Sequence, residues 1–231
     1  MALFVVSTPI GNLEDITLRA VNVLKEADLI ACEDTRQTNK LLHKYDIHKK
    51  LLSYHSYSSF KRTREIIDLL KNEKNVALVS DSGTPGISDP GYMLIAEALQ
   101  HGIKVQSIPG PSAVTSACAC SGLPCDRFVF LGFLPRRKIR AERLLTNALA
   151  LNHTVVLYES PHRIKETLAH IQRLFGGSPH LVIAREMTKI FEEIIRGTVQ
   201  EVCETIANRE IKGEIVVLIN NTIDKKSSVE A

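Results

Sequence analysis

Tryptophan is absent from the 231 residues, and aromatic residues of any kind make up only 5%. A core must therefore be built from aliphatic side chains, and a hydrophobic content of 44% is enough to exclude wholesale disorder. No apolar run approaches the roughly 18 residues that a membrane-spanning helix needs. The N-terminal stretch MALFVVSTPIGNLED has no basic lead and no small-residue cleavage site, so Leu3–Ser7 reads as a first strand rather than a signal peptide. Cysteine is sparse: Cys32, Cys118, Cys120, Cys125 and Cys203 are odd in number and form no CxxC pair. That pattern argues against a disulfide framework and against a zinc site, and for a reducing, cytoplasmic setting in which these residues are small buried apolar groups. Neither sign of charge dominates, with 29 Lys and Arg against 26 Asp and Glu for a net +3. Partners must then be read from where the charge lies.

Short runs rich in Val, Ile and Leu alternate along the chain with segments of helical period. The runs are Leu3–Ser7, Leu29–Cys32, Val76–Ser80, Lys104–Ile108, Phe128–Gly132, Thr154–Glu159, Leu181–Arg185 and Ile215–Asn220. Unbroken apolar strands with helices between them are covered on both faces, which predicts an α/β fold. Ile108-Pro-Gly-Pro-Ser112 stops a strand before a new helix, the best place for a domain break. The expected organisation is an N-terminal α/β domain over 1–110, a C-terminal α/β domain over 111–221 and a polar, disordered tail over 222–231. In the second domain, FEEIIRGTVQE and GEIVVLINN read as later strands that turn antiparallel and make its sheet mixed.

Three glycine- and proline-rich segments follow predicted strands: Ser7–Asp15, Ser80–Gly91 and Pro109–Ala113. In open α/β folds ligands bind at the carboxyl ends of strands. Glycine there lets a ligand approach the backbone, while proline fixes the loop and removes donors. The phosphate loop GxxxxGK[ST] and the dinucleotide fingerprint GxGxxG are both absent. The ligand expected is a nucleoside with a zwitterionic or cationic arm, not a polyphosphate, and a dehydrogenase is remote.

Eight stretches in order carry a resemblance: TPIGNLEDITLRA (Thr8–Ala20), DLIACEDTR (Asp28–Arg36), VALVSDSGTPGISDPGY (Val76–Tyr92), PGPSA (Pro109–Ala113), DRFVFLGFLPR (Asp126–Arg136), YESPHR (Tyr158–Arg163), AREMTK (Ala184–Lys189) and KGEIVVLI (Lys212–Ile219). With these the chain resembles the tetrapyrrole-methylase superfamily of S-adenosylmethionine enzymes. Within it, the chain is similar to the branch that methylates the ribose 2'-oxygen of a decoding-centre cytidine in small-subunit (16S) rRNA. Ser7 and Ser82 stand where that pattern has Pro and Ala, and SYHSYSS (Ser53–Ser59) lacks its acidic and Asn residues. The resemblance implies two α/β domains with S-adenosyl-L-methionine in a cleft between them, usually a homodimer, and no metal. It also implies that Ile10, Thr84, Ile87, Ser112, Ala113, Tyr158, Ala184 and Glu214 bind the cofactor.

Methyl transfer to a hydroxyl is an in-line displacement, so alignment alone supplies much of the rate. A base would assist. Glu186 and Lys189, at the end of LVIAREMTK, are the expected catalytic residues: a carboxylate to take the proton, and an amine to stabilise the alkoxide or, if neutral, to act as base. Glu33, Asp34, His55 and Glu159 are further candidates, and a plain strand-end ion pair is the rival reading of Glu186. For substrate RNA, Leu134–Arg143 holds five basic residues in ten with one acid, which singles out Arg136, Arg137 and Arg140. Arg36 belongs to a second basic concentration. Solvated surface charge is the ordinary alternative for both. Rival functions are a tetrapyrrole-type methylase with a small-molecule acceptor and a non-catalytic ribosome-binding factor.

Overall fold

A computed structural model describes residues 1–55 and 60–221. The expected tail and part of Ser53–Ser59 therefore lie outside the described residues. The chain divides into two compact units, Met1–Ser112 and a second beginning at Ala113.

The first unit runs β1 (Leu3–Val6), α1 (Leu18–Glu26), β2 (Leu29–Cys32), α2 (Thr35–Lys44), β3 (Leu51–Ser53), α3 (Phe60–Lys71), β4 (Val76–Val79), α4 (Tyr92–Gln100) and β5 (Val105–Ile108). Its five strands are all parallel, in the order β3-β2-β4-β1-β5. Alternation along each strand feeds two cores. Val6, Ile30, Ala77 and Val79 pack with Leu24 of α1 and Leu41 of α2. Leu3, Ala31, Val76 and Leu78 pack with Ile66 and Leu70 of α3 and Leu94 of α4 on the other face. Both α1 and α2 begin on side-chain caps, Thr17 accepting from the Ala20 amide and Asp34 from the Arg36 amide.

The second unit runs α5 (Ala113–Ser121), β6 (Phe128–Phe133), α6 (Lys138–Leu149), β7 (Thr154–Glu159), α7 (Ile164–Phe175), β8 (His180–Arg185), β9 (Glu193–Thr198), α8 (Val199–Ile206) and β10 (Ile215–Asn220). The order is β6-β7-β10-β8-β9. Only β6 and β7 are parallel; β10 runs against both β7 and β8, and β9 against β8. The sheet is mixed, as the later strands suggested. Helices α6, α7 and α8 cover one face through Leu145, Leu168 and Val202, and α5 covers part of the other through Val114 and Ala117. Because β10 is antiparallel to its neighbours, its first residue, Ile215, faces the last residues of β7 and β8, Glu159 and Arg185. Three chain segments thus meet at one end of the sheet.

Of the five free cysteines only Cys32 is buried, and the other four are half-exposed. The expectation of buried small groups holds for that one residue. No helix among the described residues is long and apolar enough to cross a membrane.

Candidate active site

In the first unit β1 lies between β4 and β5, so the loops that follow these three strands emerge side by side. They are tied together. Thr8 and Gly83 exchange backbone hydrogen bonds, the Thr8 amide to the Gly83 carbonyl at 2.9 Å and the Gly83 amide to the Thr8 carbonyl at 3.0 Å. The Thr8 hydroxyl donates to the Ser80 carbonyl at 3.1 Å. The Ser7 and Thr84 hydroxyls are 2.9 Å apart, and Thr84 Oγ1 also donates to the Pro111 carbonyl at 3.4 Å. A β-carbon on Gly110 would lie 3.0 Å from Ser7 Cβ, so glycine is what lets the third loop approach the first. Ile10 is buried beside Gly83, whereas Ile87 is exposed and its amide bonds the Thr84 carbonyl. Ile10 and Thr84 are thus brought together, with Ser112 closing the third loop. Ser7, a departure from the family pattern, is the residue that locks Thr84.

The ends of β2 and β4 gather acids. The Asp34 amide donates to Asp81 Oδ1 at 2.9 Å. Arg36 side-chain and backbone N–H groups hold the Asp34 carboxyl down at about 2. Arg36 pairs with that carboxylate through Nε and through Nη2 at 2.6 Å, while its side chain stays 87% exposed. Glu33 behaves oppositely. Partial burial, and then the negative charges of Asp81 and Asp34, raise its carboxyl above the ordinary value against the opposing pull of His55.

In the second unit Tyr158, Val216 and Ala184 stand side by side across β7, β10 and β8. All three share an apolar cluster with Ala113 at the start of α5. Tyr158, Ala184 and Ala113, assigned to cofactor binding from sequence, therefore converge here. Just beyond the strand ends, Glu186 takes a left-handed backbone with φ of 50°. Its amide donates to the Glu214 carbonyl, and its carboxylate accepts from the Glu214 amide, each at 2.9 Å. Lys189 Nζ donates to Glu186 and to Glu214, both at 2.9 Å. The Glu214 amide, then the Lys189 ammonium, lower the Glu186 carboxyl. For Lys189 burial is the largest single influence and opposes the charge, but the bonds to Glu214 and Glu186 together outweigh it and raise the pKa. A raised pKa favours the ammonium form of Lys189 over the neutral amine. Gly213, with φ of 87°, leaves the space that Glu186 fills.

Glu159 is buried and spent on structure: it accepts from the Ser160 amide at 2.7 Å and the Thr167 hydroxyl at 2.5 Å, with Arg163 alongside at 3.7 Å. Arg163 in turn donates twice to the Leu134 carbonyl, at 3.2 Å. From that anchored point Arg136, Arg137 and Arg140 project into solvent around the first turn of α6.

Residues 2–203 match the family model for Tetrapyrrole (Corrin/Porphyrin) Methylases. The chain is also 50% identical over 218 residues to the ribosomal RNA small subunit methyltransferase I of Thermotoga maritima, covering 94% of this chain and 97% of that protein. The chain belongs to the ribosomal RNA small subunit methyltransferase I family of tetrapyrrole methylases. The family member from Halalkalibacterium halodurans is 46% identical over 223 residues, 96% of this chain and 77% of its own length. Solved structures share the fold at low identity. Diphthine synthase superposes with a TM-score of 0.74 at 15% identity, over 99% of this chain and 94% of that one. A Thermus thermophilus uroporphyrin-III C-methyltransferase complexed with S-adenosyl homocysteine gives 0.64 at 17%, over 97% and 100%. Among the described residues no group of three or more His, Cys, Asp or Glu is arranged to hold a metal.

Proposed function

We propose that this protein transfers a methyl group from S-adenosyl-L-methionine to small-subunit rRNA, on the ribose 2'-oxygen of a decoding-centre cytidine. The observation that carries the reading is the tied set of three loops in a chain half identical to a relative named for rRNA methylation. The loops fit the cofactor's chemistry. Ser7–Asp15, Ser80–Gly91 and Pro109–Ser112 contain no Lys or Arg, but hold neutral hydroxyls and four acids. Such a surface repels a polyphosphate and suits a nucleoside bearing a sulfonium cation. Ile10, Thr84, Ile87 and Ser112 of the first unit, and Ala113, Tyr158, Ala184 and Glu214 of the second, are the residues proposed to hold it.

Bound S-adenosyl-L-methionine supplies a methyl group already attached to a good leaving group. What remains for the chain is to align the hydroxyl and to manage its proton. Lys189 presents an ammonium that stabilises negative charge developing on the ribose oxygen. Glu186, whose pKa is lowered and whose Oε1 accepts from Lys189 and the Glu214 amide, is the weaker proton acceptor and acts by fixing Lys189. Glu33, at the end of β2 where Asp34 bonds Asp81, is the acceptor proposed, and partial burial raises its carboxyl. Arg136, Arg137 and Arg140 provide phosphate contacts, and Arg36, exposed beside Asp34, offers a further one. A homodimer is the expected assembly, and α4 exposes Tyr92, Met93 and Leu99 as a surface for a second copy. The cytoplasm, where ribosomal subunits assemble, is the expected location.

The test is incubation with labelled cofactor and undermethylated small subunits, followed by mapping of the modified nucleotide. One 2'-O-methylated cytidine is expected. Label on a base, on a tetrapyrrole, or nowhere despite cofactor binding would refute the assignment, the last outcome favouring a non-catalytic ribosome-binding factor.

A further inference from the structure

Phe133 closes β6 with 57% of its surface exposed, although it is paired in a strand opposite Tyr158. In a regular strand Phe130 and Phe133 point to opposite faces. Here the register slips between them and Gly132 takes a φ of 62°, so one extra residue is absorbed. Both rings consequently reach Tyr158: Phe130 edge-on at 5.0 Å between centroids, and Phe133 tilted by 57° at 5.6 Å. Phe130 and Tyr158 are rooted in the cluster beneath α5, so the outermost ring rests on a firm base. Three and four residues further on, Arg136 and Arg137 are exposed.

We propose that Phe133 is a stacking platform for an unpaired base of the RNA substrate, with Arg136 and Arg137 holding the adjoining phosphates. The proposal rests on the rRNA reading above and adds how that RNA is held. An aromatic face beside cations is the surface that single-stranded RNA recognises, because every base offers a π-face and every linkage a negative charge. A purely apolar protein partner would not call for the arginines. The bulge gives the ring its direction, and Tyr158 stops it from folding back.

Phe133→Ala and Phe133→Trp decide the matter, with Arg136→Gln/Arg137→Gln for comparison. Binding of a short single-stranded RNA carrying 2-aminopurine, and of undermethylated subunits, is measured over a range of salt. Thermal melting checks that each variant folds. Phe133→Ala is expected to weaken RNA binding roughly tenfold, within the range for losing one base–aromatic stack. It should abolish the quenching of 2-aminopurine, leave the salt slope unchanged and spare cofactor affinity. Phe133→Trp should restore affinity and quenching. The double arginine variant should flatten the salt slope while keeping the quenching. Wild-type affinity and quenching in a folded Phe133→Ala would overturn the proposal. So would a loss confined to cofactor binding, which would give the ring to adenine instead. If wild-type protein bound neither RNA probe, the rRNA reading itself would fall, whatever Phe133 did.

Discussion

The side chain of Glu186 lies across Gly213, where a β-carbon would overlap its Cγ and Cδ. A φ of 87° favours glycine there, and a β-carbon would push the Glu186 carboxylate aside. Gly213→Ala is expected to destabilise the protein by roughly 2 kcal/mol, the scale of left-handed strain, and to free Lys189 from its carboxylate. Chemical denaturation with a parallel single-turnover assay reads both effects. A variant as stable and as fast as wild type would show that Glu186 is not held by this packing.

Lys189→Met should lower single-turnover methylation by about a hundredfold, with cofactor and RNA binding within a few-fold of wild type. Glu186→Gln should lower it by a similar factor through loss of Lys189's position. Retention of more than about a third of the rate in both would leave alignment as the main source of catalysis.

Glu33→Gln separates activity from stability. The folded carboxyl is raised above its ordinary value. The folded state therefore binds the proton more tightly than the unfolded chain, and stability falls as pH rises between the two values. The substitution should raise the melting temperature at neutral pH, while removing the acidic limb of the methylation pH–rate profile. An unchanged profile would exclude Glu33 as the proton acceptor.

Neutralising Arg136, Arg137 and Arg140 together should reduce the salt slope of subunit binding by about one for each lost phosphate contact. Arg36→Gln should reduce the slope by about one at most, because a single exposed charge is lost. Equal slopes in the triple variant and wild type would make the α6 segment a solvated face only.

Thr84→Arg and Ala113→Trp should each abolish cofactor binding in calorimetric titration while the circular dichroism spectrum stays native. Unchanged affinity in both would remove these two loops from the site.

What the sequence announced and what it concealed divide along physical lines. Leu29–Cys32 and Thr154–Glu159 were legible to the residue, because a strand buried on both faces is an unbroken apolar run. β3 was not: Leu51–Ser53 is a three-residue edge strand after two lysines, too short for any period to register. The basic character of Leu134–Arg143 was plain, but the pairing of Arg36 with Asp34 needed the geometry of that residue as a helix cap. The loops were visible as glycine and proline, whereas the Ser7–Thr84 bond joins positions 77 residues apart and leaves no local signal. The bulge at Gly132 is likewise invisible to alternation, which assigns Phe133 to the wrong face.

The tether from Glu159 through Arg163 to Leu134 has a consequence for how such a protein can diversify. The buried carboxylate fixes one carbonyl at the root of the basic segment, and everything from Pro135 to the first turn of α6 grows outward from there. The exposed side chains on that outgrowth, Arg136, Arg137, Ile139 and Arg140, can be exchanged without disturbing the sheet or its core, whereas Ala141 belongs to that core. The solvent-facing side chains of this segment and the packing that folds the domain are thereby carried by different residues, so the proposed phosphate contacts can change while the scaffold stays intact.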